Sequence, residues 1–222
     1  LDNIGVIDRN MRLPNGSHLQ QADGTAWMAF FCSCMLRIAL ELSREDQAFD
    51  GLATTFLEHF LSVAEAMETF GTDDVSLWDE ADGFFYDVLV GPDGHSEPVR
   101  LRSLVGLLPL IAVAHAPDWI TRELPDFVAR LRWLQRQRPD LTDALVTTRA
   151  EGQVVTSLAP LTAARAQALM ARLFDEGEFL GPHGIRSLSA AYRGGVTLDV
   201  AGVSMSVAYD PGESTTNLFG GN

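Results

Sequence analysis

Residues 21 to 31 read QADGTAWMAFF, and the only charge in them is Asp23, which leads directly into an apolar run. Two chemistries fit a carboxylate in that place. Asp is a favoured helix N-cap, because its side-chain oxygen accepts an amide hydrogen that the first turn leaves unpaired. The capping pattern is incomplete, since Ala26 stands where a Glu or Gln would answer the cap. The other chemistry is general acid catalysis. Trp27 stands four residues on, one helical turn away. An indole close to a carboxyl lowers the local dielectric and favours the protonated form that a general acid needs. Gly24 would let a substrate approach the backbone closely.

A hydrolase of glycosidic bonds needs a second carboxylate, as base or as nucleophile. Asp79, Glu80, Asp82 and Asp87 cluster near a turn-rich stretch, and Glu213 stands in a loop rich in glycine and threonine. Glu80 and Asp82 read as solvated turn residues. Asp87, inside an apolar run, reads as a group that could point into a cleft. Arg102 opens an apolar segment, where a cation opposes the positive end of a helix dipole, so it should be paired with an acid or used on a ligand. Arg186 stands in GPHGIRSLS and carries the same two readings. Gln21, Trp27, Tyr86, Arg102 and Arg186 form the candidate substrate-binding set around Asp23. The five histidines, at 18, 59, 95, 115 and 183, show no metal-ligand spacing. No phosphate-cradling glycine loop and no G-x-S-x-G elbow occur. Neither metal nor cofactor is expected.

These residues need elements to hold them. Ala26 to Leu42 is apolar almost all round and reads as a helix buried on most sides. Phe49 to Met67 repeats apolar residues at steps of three and four and reads as an amphipathic helix. Leu101 to Ala116 is again apolar all round, though Pro109 interrupts it. Pro125 to Gln137 is amphipathic, and a fifth helix is expected over about Leu161 to Phe174. An inner helix followed by an outer one, twice over, suggests concentric helical layers or a bundle with a central helix. Between the pairs, Phe84 to Val90, the turn Gly91-Pro92-Asp93-Gly94 and a return at Val99 to Leu101 read as a β-hairpin. Val196 to Tyr209 could add a strand or two.

The 222 residues are enough for one good-sized domain, and 46% of them are hydrophobic. Thirty acidic residues against sixteen basic ones give a net charge of -14. That argues against nucleic acid and against an anionic membrane surface as partners. No apolar run is read as long enough to span a membrane, and no signal-peptide pattern opens the chain. Cys32 and Cys34 are two apart, on nearly opposite sides of a helix, and read as reduced thiols of a cytoplasmic protein. The chain starts at Leu1 without an initiator Met and stops on LFGGN, so a portion of a longer chain is expected.

The stretches LDNIGVIDRN, QADGTAWMAFF, LWDEADGFFYDVLVGPDG, RLRSLVGLLPLIAV, GIRSLS and ESTTNLFGGN resemble, in the same order, the C-terminal part of the bacterial proteins of glycoside hydrolase family 63. The resemblance runs from Leu1 to Asn222. It implies an all-α fold, part of an (α/α)6 toroid with a short β-hairpin insertion. It also implies inverting hydrolysis of α-linked glucosides or related α-glycosides. Asp23-Gly24-Thr25-Ala26-Trp27 is similar to the family's D-x-[ST]-x-W-like stretch, which makes Asp23 the general acid. The family's base lies beyond the LFGGN stretch, so the resemblance leaves the base outside this chain. It implies a carbohydrate substrate and, as partner, the remainder of the same catalytic domain. The alternatives are a non-catalytic carbohydrate-binding domain and a helical scaffold or interaction domain.

Overall fold

The computed structural model describes residues 13, 15–68, 76–139, 144–150, 153–200 and 202–209. The stretches LDNIGVIDRN and ESTTNLFGGN, with Glu213, lie outside them. The chain divides into two compact units. The first takes the described residues of 1–24, 69–108 and 164–222, and the second those of 25–68 and 109–163.

The fold is mixed α and β, which corrects the all-α expectation: twelve short strands are present among the described residues. The first unit is built mainly from them. β1 (His18–Gln20), β4 (Asp87–Val90) and β5 (Ser96–Val99) form an antiparallel sheet in the order β1-β4-β5. Asp87 pairs with Val99 and Val90 with Ser96, so the expected hairpin exists, with its return strand a few residues earlier than expected. The turn closes through the Gly91 amide on the His95 carbonyl (2.8 Å), with Gly94 at φ +84. β2 (Trp78–Asp79) pairs with β3 (Phe84–Phe85), β9 (Leu180–Gly181) with β10 (Gly184–Ile185), and β11 (Val196–Val200) with β12 (Val203–Val207). The helix α5 (Ala163–Leu173) matches its expected position closely. Aromatic rings tie the strands to the loops: Phe84 stacks on Phe179 at 5.8 Å between centroids, and Trp78 meets Phe85 edge-on at 4.9 Å.

The apolar run Leu101 to Ala116 does not form the expected α-helix. It coils as a 3-10 segment over Leu104–Ala112, with Pro109 inside it. Pro109 lacks the amide an α-helix would use. Gly106 gives a second reason: a Cβ there would lie 2.2 Å from both the Phe84 ring and the Phe85 carbonyl oxygen. The backbone approaches β3 too closely for any side chain.

The second unit carries the helices. α1 (Ala22–Ser43) enters it after its first turn, and α2 (Asp50–Glu68), α3 (Ile120–Glu123) and α4 (Pro125–Gln137) follow. Its core joins Ala29, Cys32, Leu36, Ala53, Leu57, Phe60, Leu61, Phe127, Val128 and Leu134. β7 (Leu145–Ala150) and β8 (Gln153–Leu158) form a hairpin that β6 (Ala114–His115) extends on the β8 side. The sequences LVTTRA and QVVTSL are rich in β-branched residues, which suit a pleated surface. The faces of α2 and α4 away from the core carry ion pairs, Arg130 with Glu58 at 2.9 Å and Arg138 with Glu65 at 3.4 Å.

α1 departs from the expectation of a helix buried on most sides. Its buried face is made largely of small residues, Ala26, Ala29, Cys32 and Ala39, with Leu36 and Leu40. Trp27, Phe31, Ile38 and Leu42 recur at helical spacing on an exposed stripe, flanked by Met28. With 22 residues, α1 is also long and apolar enough to cross a membrane by length and composition alone, a property the sequence reading did not assign to it. Both cysteines are free thiols, and burial pushes the Cys32 thiol up, away from its reactive form.

Candidate functional site

Asp23 lies in the first turn of α1 and is 4% exposed. It is not the residue that caps the helix. The Ala22 amide at the head of α1 donates to Asp87 Oδ1 on β4, at 3.0 Å and buried. Asp23 Oδ1 instead accepts from the Gly24 amide at 2.8 Å. Two buried carboxylates therefore stand at the positive end of one helix, where negative charge is favoured. Asp87 performs the capping that sequence alone offered to Asp23. β4 sets this up by alternation: Val88 is fully buried, and Asp87 one residue earlier turns its carboxyl to the head of α1. Gln21 is half-buried and immediately precedes the helix. Trp27, one turn further along, is 43% exposed.

Tyr86 and Arg102 meet at a second acidic centre in the same unit. The Tyr86 hydroxyl donates to Asp82 Oδ2. Burial first, and the Asp82 carboxylate second, push this phenol far above its ordinary range, so it acts as a donor. Arg102 reaches Glu178 Oε2 at 3.2 Å and Asp82 Oδ2 at 3.4 Å. Arg172 binds the other Glu178 oxygen at 3.1 Å and Asp82 Oδ1 at 3.5 Å. The Ser189 hydroxyl also donates to Glu178 Oε2. Burial would pull the Arg102 guanidinium down, but Glu178, followed by Tyr192, Tyr86 and Asp82, outweighs it and holds the group above its usual range. Backbone pairing places these groups: Ser103 bridges Leu188, the Leu104 amide donates to the Ser187 carbonyl, and the Ser189 amide donates to the Arg102 carbonyl.

Arg102 thus resolves as a member of an internal ion-pair network. Asp82, read from sequence as a solvated turn residue, is one of its two acidic centres. Asp79, in the same turn, accepts from the Ala81 and Asp82 amides and from Arg100. Burial would raise its carboxyl, but those contacts prevail and hold it below its ordinary value. Glu80 is exposed and pairs with Arg165 at 3.1 Å. Glu178, Arg172, Ser189 and Tyr192 escaped sequence reasoning, because they come from segments 70 to 90 residues away from Arg102 with no spacing signal.

Arg186 is 6% exposed. Its Nη1 donates to the carbonyls of Leu180 (2.6 Å), Glu176 (2.8 Å) and Glu178 (3.4 Å), and its Nε to the Tyr209 hydroxyl (3.1 Å). Among the described residues it joins the Arg102 network through the backbone of Glu178. It also lines an open cleft of about 480 Å³ with Glu176, Leu180, Gly181, Pro182 and Arg193. No cluster of three or more metal-ligating side chains occurs among the described residues.

No family model matches the chain, and no solved structure matches it. Over 236 aligned residues it is 39% identical to an uncharacterised protein of Saccharomyces cerevisiae, YMR196W. All of this chain is matched, against 22% of the relative's length. The chain therefore spans about a fifth of the curated relative it resembles, and that relative's printed name states no activity.

Proposed function

We propose that this chain supplies the general acid of an inverting glycoside hydrolase acting on α-linked glucosides or related α-glycosides. The carrying observation is Asp23: a buried carboxyl in the first turn of α1, at a helix end whose cap comes from Asp87. The Ala22 amide is held by Asp87, and Asp23 Oδ1 accepts from the Gly24 amide. Its motif Asp23-Gly24-Thr25-Ala26-Trp27 supports the role by its resemblance to glycoside hydrolase family 63. In this reading Asp23 protonates the glycosidic oxygen, and a carboxylate elsewhere in the intact protein activates water on the opposite face of the sugar. Gln21 flanks the acid and contacts sugar hydroxyls. The chain acts in the cytoplasm, consistent with its two free thiols.

The test is Asp23→Asn in the intact protein, assayed by product analysis on a panel of α-glucosides and α-mannosides. The expected result is an unchanged circular dichroism spectrum and a loss of hydrolysis of about a hundredfold or more. Activity close to wild type overturns the assignment.

A further inference from the structure

Six arginines of the first unit fall among the described residues: Arg100, Arg102, Arg165, Arg172, Arg186 and Arg193. The first four each pair with a carboxylate, Asp79, Asp82 and Glu178, Glu80, and Asp82 and Glu178 respectively. Arg186 and Arg193 differ. Every hydrogen bond that Arg186 makes among the described residues goes to a neutral group, three carbonyls and the Tyr209 hydroxyl. Neither Arg186 nor Arg193 has an ion-pair partner among the described residues. These two line the same cleft, and both guanidiniums sit against one ring, at 5.7 Å and 5.3 Å from the Tyr209 centroid.

A charged side chain buried without a counter-charge is costly, and hydrogen bonds to neutral groups offset only part of that cost. Arg186 is 94% buried by its 6% exposure, in a chain with thirty acidic residues to choose from. Four arginines of the unit pair with carboxylates, and among the described residues these two do not. Their cleft is open to solvent, so a ligand can supply the missing charge. We propose that the cleft formed by the Glu176–Pro182 segment, Arg186 and Arg193 binds a small oxyanion, a carboxylate or phosphate group.

The cleft is shaped for this. Planar guanidinium groups match the two-oxygen face of carboxylates and phosphates. Gly181 keeps the wall low: a Cβ there would lie 3.0 Å from the Gly184 carbonyl oxygen and 3.5 Å from Arg186 Cγ. Glu176, exposed on the same cleft, leaves a balance of one positive charge among the three ionic residues. That balance matches a carboxylate monoanion. The inference is independent of the hydrolase reading, because its readout is anion binding and not turnover.

The experiment is calorimetric titration of the folded chain with sodium acetate and, separately, with inorganic phosphate, at ionic strength held constant with chloride. Saturable one-to-one binding of at least one anion is expected. Acetate alone identifies a carboxylate site, and phosphate binding as well identifies a general oxyanion site. Arg193→Gln should weaken the binding about fivefold or more. Arg193 is exposed, and the variant should keep its melting temperature. Arg186→Gln should abolish binding, but it also removes the clamp on three carbonyls, so Arg193→Gln carries the decision. Absence of saturable binding for both anions in the unaltered chain overturns the proposal. So does equal affinity in Arg193→Gln and the unaltered chain.

Discussion

The two units of this chain differ in where their charged groups lie. In the second, side chains from α1, α2 and α4 close over an apolar core, and ion pairs such as Arg130 with Glu58 stay on the outside. In the first, small apolar clusters, such as Leu101 with Leu188 and Val207 and Leu89 with Val99 and Val200, stand beside a partly buried polar network. Asp82 and Glu178 there draw in Arg102, Arg172, Tyr86 and Ser189. Apolar burial is non-directional and tolerates local adjustment. A partly buried network of charges has fixed geometry, and removing one member strands the others.

The sharpest way to probe the contrast is to remove one member from each unit. Phe60→Ala, at a fully buried position, should cost about 3–5 kcal/mol in urea unfolding, through lost transfer energy and the cavity left behind. Salt should not change that cost. Glu178→Gln should cost less, about 2–3 kcal/mol, because Arg102 and Arg172 keep partial solvent contact that softens the loss of their partner. Here the cost should shrink in high salt, which screens the exposed parts of the network. If both losses respond to salt alike, the distinction between the units fails.

Acid gives the mildest test. The Asp79 carboxyl is held below its ordinary value, so it contributes stability that is present above about pH 4, where the unfolded carboxyl is ionised. That contribution is lost as pH falls through the lower folded value. Hydrogen exchange followed by mass spectrometry between pH 5 and pH 2.5 should show peptides around Asp79 and Phe84 losing protection before those of α2 and α4. The opposite order would place the acid-sensitive contacts in the helical unit.

The contrast also explains what could be read in the sequence. α2, α4 and α5 were legible because apolar residues at steps of three and four leave a period, and α4 agrees with its expected span, Pro125 to Gln137. The hairpin at Gly91 was legible from its turn chemistry. The apolar run from Leu101 misled, because composition alone does not show that the Gly106 backbone must lie against Phe84. The Thr- and Val-rich hairpin of β7 and β8 was not assigned, and with the other short strands it makes the fold mixed and not all-α. At the candidate site, Asp23 stood out by its isolation in an apolar run. The bond from the preceding Ala22 amide to Asp87 did not, because a contact 65 residues apart leaves no periodicity. At the head of an apolar segment Arg102 is a misplaced cation in need of an acid, and the network supplies two. Which acids they are depends on pairing between residues 102 to 104 and 187 to 189, which no local pattern encodes.

The bond from Ala22 to Asp87 has a kinetic consequence. Ordinary helix ends fray within nanoseconds, and their first amides trade hydrogen for deuterium almost as fast as free peptide. Here the leading amide is latched to a residue whose own backbone is laddered to Val99. Its exchange must wait for the latch to let go, so the first turn of α1 shares the opening clock of a β-hairpin.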